Sequence, residues 1–486
     1  LKEHYYIALD IGSSSVKTVV GEKFHDGVNI IGIGQTFTDG ISKGMITDFE
    51  LAKSAIKDTV KKASISSGVE IDEVFLKMPI TDSEIKFGEE AIRFGGESTE
   101  INGEHIESLL ESLREKEMAG DKEVVTVFPV HFIVDDLHEV DDPKKMVATQ
   151  SLAVKAGVVL TNRTLLINAV KCVEESGLTI LDVYSDAVNY GHVLTDAEAE
   201  LGGVVIDIGA DLTQYAYFER GALKYASSIP VGGNLITNDL TEAFNMSFDH
   251  AEKVKKQYGH AFFDMANDDD IIHLDQINSE DSIEVTPKDL ADIIELRLEE
   301  LLLDVFEDLQ RQSITKVSGG FAVTGGTANL LGIKELMQDM VSEKVRIHVP
   351  NQMGARKPEF SSVISTVSSG ISFDELLEYV TIDNYDTATE PVSSETPEDA
   401  DSNFFSGLFK NRKDKNEAEN QVSESAPVQQ EETNDDVVET PEYEEYTEYS
   451  YDDDEKVNDA KAEQNRPKES KDVGGYMKKL FKNLFE

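Results

Sequence analysis

Leu9-Asp10-Ile11-Gly12-Ser13-Ser14-Ser15-Val16-Lys17 is the stretch on which the fold of this chain turns. An apolar strand ends at an aspartate, and a glycine with three hydroxyl residues then makes a tight turn. Such a turn exposes consecutive backbone N–H groups that can surround phosphate oxygens. Gly12 allows close approach of the main chain, Ser13, Ser14 and Ser15 add donors, and Lys17 brings a positive charge to the same place. Ile206-Asp207-Ile208-Gly209-Ala210-Asp211-Leu212-Thr213 offers a second cradle of the same kind, with Gly209, Ala210, Asp211 and Thr213 in the turn. Either loop alone reads equally well as a plain β-hairpin. Two in matching surroundings carry more weight. Tyr5–Gln35 and Gly203–Ser228 each read as strand, acidic turn, strand, turn, strand, with helical segments following, which predicts two related α/β halves facing each other. Carboxylates beside a polyphosphate repel it unless a cation intervenes. Asp10 and Asp207 are therefore expected to hold Mg²⁺, through water, because this ion gives up its hydration reluctantly.

A third glycine element lies downstream. Phe321-Ala322-Val323-Thr324-Gly325-Gly326-Thr327-Ala328-Asn329 predicts a buried strand, a turn, and a helix beginning near Asn329. Gly325 and Gly326 would let the backbone lie flat against a base or ribose, and Thr327 or Asn329 would serve as N-cap. In this order, the three elements resemble the two phosphate motifs and the adenosine motif of the actin, hexokinase and heat-shock chaperone superfamily. The resemblance implies ATP as the ligand, and two actin-like (ribonuclease-H-like) α/β domains with the nucleotide in the cleft between them. It also places Gly232, Gly233 and Asn234 beside the nucleotide, and gives Glu252 and Lys255 to the ribose and adenine. Taken alone, those two charges read as solvated. The residue that positions attacking water in the efficient ATPases of the superfamily has no clear counterpart. Asp186 and Asn189 are the nearest polar residues, and either would equally well cap its helix. ATP binding with at most slow hydrolysis is the expectation.

Composition limits the partners. Of 486 residues, 45 are Lys or Arg and 95 are Asp or Glu, a net charge of −50. Such a body is repelled by phosphate backbones, so no nucleic-acid partner is expected. The single cysteine, Cys172, cannot form an internal disulfide, suits a reducing cytosol, and reads as a buried residue of the helical run Leu165–Glu175. No apolar stretch approaches the roughly 20 residues that span a bilayer, and the first residues carry no signal-peptide pattern. A cytoplasmic protein is expected. Residues 1–80, 165–200 and 356–380 are assigned to the first domain and 81–164 to an outer subdomain inserted in it. Residues 201–233 and 305–355 form the second domain, with 234–304 as its inserted subdomain. Residues 381–473 are acidic and poor in aliphatics, and are expected to be a disordered linker.

Gly40–Asp48, Thr149–Val159 and Asp186–Gly191 carry a narrower resemblance, to the FtsA family of actin-like bacterial cell-division proteins, over residues 1–380. It implies self-association into actin-like polymers, and contacts with other division proteins through 81–164. It also implies that the 234–304 subdomain binds the C-terminal tail of FtsZ. That tail mixes acidic and apolar residues, and Arg297 and Lys288 are the only basic residues of Pro287–Leu303. They are the expected partners of its carboxylates. At the C-terminus, after Gly474-Gly475, apolar Tyr476, Met477, Leu480, Phe481, Leu484 and Phe485 recur at helical spacing opposite Lys478, Lys479 and Lys482. A basic amphipathic helix of this kind lies in a membrane interface, and the resemblance makes it the membrane-targeting sequence. The implied function is to tether the FtsZ ring (Z ring) to the cytoplasmic face of the cell membrane at the division site. A small-molecule kinase of the same fold, or another scaffold such as a pilus-assembly ATPase, is the alternative; a soluble kinase has no use for a tethered basic helix. Phe404–Lys413 is a second basic-aromatic patch, either a weak membrane or partner site or a sticky segment of the linker.

Overall fold

The computed structural model describes residues 4–25, 27–117, 122–278 and 282–378. The expected linker, the Phe404–Lys413 patch and the terminal helix lie outside the described residues.

The chain opens with the antiparallel meander β1 (Tyr5–Ile11), β2 (Ser15–Phe24) and β3 (Gly27–Phe37). A small hairpin, β4 (Ile41–Ser42) and β5 (Met45–Ile46), leads to α1 (Phe49–Ser67) and β6 (Glu73–Met78). Helix α1 starts where the Asp48 carboxylate accepts from the N–H groups of Glu50 and Leu51, and stops at Gly68 in the left-handed region. It lies directly on β3, because a Cβ at Gly34 would collide with the Thr59 carbonyl. The insert follows: β7 (Glu84–Arg93), β8 (Thr99–Glu100), α2 (Gly103–Glu117), β9 (Lys122–Val134), β10 (His138–Val140), β11 (Val147–Ala148) and β12 (Ser151–Asn162). Four of its strands form a sheet in the order β10-β9-β12-β7, with α2 packed on one face around Ile106, Leu109 and Leu113. Then α3 (Arg163–Glu175) and β13 (Thr179–Ser185) complete the first sheet, and α4 (Asp186–Asn189), a 3-10 turn over Tyr190–Val193 and α5 (Asp196–Leu201) cross to the second half.

The second half repeats the plan. Strands β14 (Gly203–Ile208), β15 (Thr213–Glu219) and β16 (Ala222–Ile229) form a meander. After it come α6 (Gly233–Phe244), α7 (Phe248–Tyr258), the hairpin β17 (Ile272–Asp275) and β18 (Ser282–Val285), and α8 (Pro287–Arg311). Strand β19 (Gly320–Thr324), α9 (Ile333–Met340), β20 (Val345–Ile347) and α10 (Ser361–Leu377) end the described chain. The sheets run β3-β2-β1-β6-β13 and β16-β15-β14-β19-β20, each a meander continued by two parallel strands. The duplication expected from the two meanders is thus present in full sheets. Helix α10 returns to the first sheet, packing Val363, Ile364, Val367 and Ile371 on Tyr6, Ala8, Val19 and Phe75, while Leu377 enters the core of the insert.

Two local expectations differ from the structure. The helix after Gly325-Gly326 does not begin near Asn329; Gly326–Asn329 is a 3-10 turn, and α9 begins at Ile333 after Gly332 at φ 83°. Neither Thr327 nor Asn329 caps it, because the Thr327 hydroxyl is turned back onto the Gly209 carbonyl at 3.1 Å. The segment 234–304 also carries the β17–β18 hairpin among its helices.

Candidate functional site

The two halves meet at a cleft of about 440 Å³. Its walls are the β1–β2 turn, the β14–β15 turn and the Gly325–Thr327 turn, so the three glycine elements are brought together. Both strand turns close in the same way, Gly12 N–H donating to Ser15 O at 3.2 Å and Gly209 N–H to Leu212 O at 2.9 Å. They are hairpins, and they also face a common space. The glycines are demanded by backbone crossing backbone. A Cβ at Gly232 would lie 2.6 Å from the Gly209 carbonyl oxygen, and one at Gly325, whose φ is 91°, would lie 2.6 Å from that of Ile208 and collide with the Asp207 carboxylate.

Not every residue singled out faces the cleft. Gly12, Ser13, Ser14, Ser15, Lys17, Gly209, Ala210, Gly233, Asn234, Glu252, Lys255, Gly325, Gly326, Thr327 and Asn329 line it, as do Asp10 and Asp207. Asp211 instead accepts from Asn234 Nδ2 at 2.7 Å and, across the gap between the halves, from Ser42 Oγ at 2.9 Å. Thr213 donates to the Val231 carbonyl at 2.9 Å and, like Gly232, shapes a loop. Glu252 and Lys255 are not solvated charges. Lys255 is 5% exposed, and its Nζ reaches Glu252 Oε2 at 2.6 Å, Thr237 Oγ1 at 2.6 Å and Gly233 O at 2.8 Å. Lys256 Nζ, 3.0 Å from Glu252 Oε1, stands 5.9 Å from the Phe37 ring centroid, linking α7 to the opposite rim.

The expectation that Asp186 or Asn189 positions water is corrected by where their atoms point. Asn189 is spent on α10, donating to Thr366 Oγ1 at 2.9 Å and accepting from Ser369 Oγ at 2.7 Å. Asp186 is fully buried behind the cleft floor, where its carboxylate accepts from Lys77 at 2.7 Å, Gln214 at 2.9 Å and Ser362 at 2.5 Å. Lys77 and Gln214 are among the lining residues that the sequence did not suggest. Lys77 projects from β6 inside the first sheet, and Gln214 holds Asp186 and the Tyr190 hydroxyl while accepting from Ile80 N–H at 2.6 Å. Nothing in a lysine or glutamine within an apolar strand distinguishes it from an outward-facing residue.

The electrostatics follow from burial and these pairs. Asp10 Oδ2 is 3.0 Å from Lys17 Nζ, and Oδ1 is 3.1 Å from Lys77 Nζ, the latter too far off axis for a hydrogen bond. Burial pushes the Asp10 carboxyl upward, but Lys17 and Lys77 together outweigh it and hold it at about 2. Burial works to lower Lys77 as well, yet Asp10 and Asp186 keep it well above an ordinary lysine. For Asp207, burial dominates, aided by Asp186 and Asp10 and opposed by Lys77 and the Tyr190 hydroxyl at 2.9 Å, and its carboxyl rises to about 6. Among the described residues no group of three or more His, Cys, Asp or Glu side chains is arranged to hold a metal ion. With both Asp10 oxygens facing ammonium groups, a Mg²⁺ ion held directly by Asp10 and Asp207 does not fit the residues present. The lining as a whole has Lys17, Lys77, Lys255, Lys256 and Lys357 against Asp10, Asp207, Glu252 and Glu359. In a chain this acidic, five cations against four anions single out the cleft as a place for a polyanion.

The other singled-out residues already have partners. Arg297 grips Asp239 on α6 with Nε at 2.5 Å and a terminal nitrogen at 2.9 Å, and also pairs with Glu300. Lys288 lies 3.6 Å from Asp268 and 4.9 Å from the centroid of the Phe263 ring. Cys172 is buried on α3, and burial pushes its thiol up to about 11, which makes it a packing residue.

Known proteins share both this architecture and this sequence. Residues 204–365 match the family model described as Cell division protein FtsA, and residues 83–160, which run from β7 into β12, match the one described as SHS2 domain inserted in FTSA. The chain is 52% identical over 489 residues to the Cell division protein FtsA of Staphylococcus epidermidis, covering 100% of both chains. It is 34% identical over 363 residues to that of Bacillus subtilis (strain 168), covering 74% of this chain and 82% of the relative. A solved PilM-PilN type IV pilus biogenesis complex superposes with a TM-score of 0.52 at 14% identity, covering 75% of this chain and 98% of that one, a likeness of fold alone. Identity that runs from end to end, together with an SHS2 insert between β6 and α3, decides among the scaffolds and enzymes that share such a fold: the chain belongs to the FtsA family of cell division proteins.

Proposed function

We propose that this protein binds ATP in the cleft and acts as an actin-like adaptor in cell division, carrying FtsZ to the membrane. The observation that carries the first part is the surplus of lysines on a cleft framed by three glycine turns. The phosphates lie against the N–H groups of the β1–β2 and β14–β15 turns beside Lys17, and the adenosine against Gly325, Gly326 and the Glu252–Lys255 pair. Because Asp186 and Asn189 are committed elsewhere, the nucleotide serves mainly as a clamp that favours one arrangement of the two halves. Titration of the full chain with ATP in Mg²⁺ buffer should show binding, weakened at least about 10-fold by Lys17→Ala, since a charge-assisted hydrogen bond is lost. Unchanged affinity in that variant would sink the assignment of the first phosphate turn.

The adaptor part rests on family membership and on sequence. Residues 474–486 provide the amphipathic membrane anchor, residues 234–304 receive the FtsZ tail, residues 81–164 meet other division proteins, and copies of the chain associate as a polymer on the cytoplasmic side of the membrane. Arg297 and Lys288 remain the basic groups available to a tail carboxylate, each by exchanging the partner it now holds.

A further inference from the structure

We propose that Lys77 performs, inside the cleft, the charge-neutralising part that a divalent cation plays toward a bound polyphosphate, so that this protein takes free nucleotide as well as the metal complex. The proposal rests on the nucleotide reading of the cleft. Lys77 comes from β6, an interior strand of the first sheet between β13 and β1, and is 8% exposed, yet it lines the cleft. Its Nζ is 2.7 Å from Asp186 Oδ2 and 3.1 Å from Asp10 Oδ1, while Lys17 Nζ is 3.0 Å from Asp10 Oδ2. Both oxygens of the carboxylate at the end of β1 therefore face fixed ammonium groups. A divalent ion brought to that carboxylate meets like charge, and Mg²⁺ further demands a near-octahedral set of oxygens.

The order of charges from the cleft inward matters more than their sum. Asp186 is absent from the cleft lining and fully buried, fixed by hydrogen bonds from the lining residues Ser362 at 2.5 Å and Gln214 at 2.9 Å. It acts as a counter-ion that holds Lys77 forward. The pair thus presents its positive end to the phosphate site and keeps its negative end away. A buried charge is costly to desolvate, and here that cost is met on folding, through Asp186, rather than on ligand binding. Its field toward a phosphate is strong because the Lys77 ammonium is largely withdrawn from solvent.

The test compares ATP binding by the full chain in Mg²⁺ and in EDTA, measured by calorimetry. For wild type, the dissociation constant should rise by less than about 5-fold in EDTA, because the preorganised ammonium remains. The double variant Lys77→Met/Asp186→Asn removes the pair without changing the net charge of the cluster, and keeps a hydrogen-bonding side chain against Ser362 and Gln214. Its dissociation constant should rise by more than about 50-fold in EDTA, since only the metal can then screen Asp10 and Asp207. Loss of wild-type binding in EDTA overturns the proposal whatever the variant does. So does a folded double variant, judged by its melting temperature, whose ratio between EDTA and Mg²⁺ equals that of wild type. Absence of wild-type binding in Mg²⁺ overturns the nucleotide reading itself, and the two failures are thereby told apart.

Discussion

Asp207 is a carboxylate in an expensive position. Burial and the neighbouring aspartates raise it from 3.8 to about 6, a shift worth about 3 kcal/mol by linkage. A folded-state value above the unfolded one means that the native state binds the extra proton. The stability this brings is fully present below pH 4 and is lost as pH rises through 6. Asp10, held at about 2, has the opposite sign: its contribution is present above pH 4 and is lost as pH falls toward 2. Asp207→Asn keeps an acceptor for the Tyr190 hydroxyl and removes the titration. In the nucleotide-free protein it should be about 1–3 kcal/mol more stable than wild type at pH 7.5, with the gain fading toward pH 4.5. Urea denaturation at the two pH values checks this, and a pH-independent difference would show that burial is not what raises the group. The acidic ends of β1 and β14 were legible in the sequence because Asp-x-Gly turns announce themselves. Lys17 was legible with them, but the second neutralising group, Lys77, was not, since it sits in Val-Phe-Leu-Lys-Met, where only the sheet order reveals that its side chain points into the cleft.

Elements were legible where their ends carry a chemical signal. Both meanders follow their turn residues, with Gly12 and Gly209 closing the two first hairpins. The 3-10 turn after β19 escaped because long-range contact decides it: Thr327 prefers Gly209 to a capping position. Close approach of elements is equally invisible until the fold is known. Gly103 starts α2 where a Cβ would overlap the backbone of Leu377 on α10, and the Glu378 carboxylate accepts from Gly103 N–H at 3.1 Å. Gly103→Ala should therefore part α2 from the end of α10 and lower stability by about 2–4 kcal/mol, as a backbone clash cannot relax cheaply. Faster hydrogen exchange confined to 103–117 and 370–377 would accompany it; an unchanged melting temperature would mean that the two helices are not locked there. On α8, the Asp239 clamp gives a direct test of Arg297. If Arg297 anchors the FtsZ tail, Asp239→Asn should free its guanidinium and tighten tail-peptide binding about 3- to 10-fold, while Arg297→Gln weakens it. Equal affinities by fluorescence anisotropy would leave Arg297 as a strut between α6 and α8.

At the scale of the molecule, the proposed adaptor role asks a chain with net charge −50 to sit on a membrane that is itself anionic. The last residues offer a solution: six apolar side chains from Tyr476 to Phe485 beside Lys478, Lys479 and Lys482. Each apolar group, partly inserted, contributes at most roughly 1.5–3 kcal/mol, and each lysine near an anionic surface about 1 kcal/mol. Against this stands the ordering of a short segment, which is unfavourable in water below about 12–15 residues even for good helix formers. The remainder predicts weak, reversible attachment of a single chain. An assembly carrying many copies multiplies the effective concentration of anchors and binds tightly with no new contact, by a factor of about 10²–10⁴ for even two linked sites. Phe481→Glu should then abolish pelleting with anionic liposomes while leaving ATP binding unchanged, because the anchor and the cleft lie in separate parts of the chain. A variant unable to self-associate should keep the anchor but bind liposomes at least about 10-fold more weakly, and lose that binding at lower salt, as surface attraction is screened within about 8–10 Å at physiological ionic strength. Equal liposome affinity for the monomeric and assembled protein would refute the avidity account and make the terminal segment a stronger anchor than its length allows.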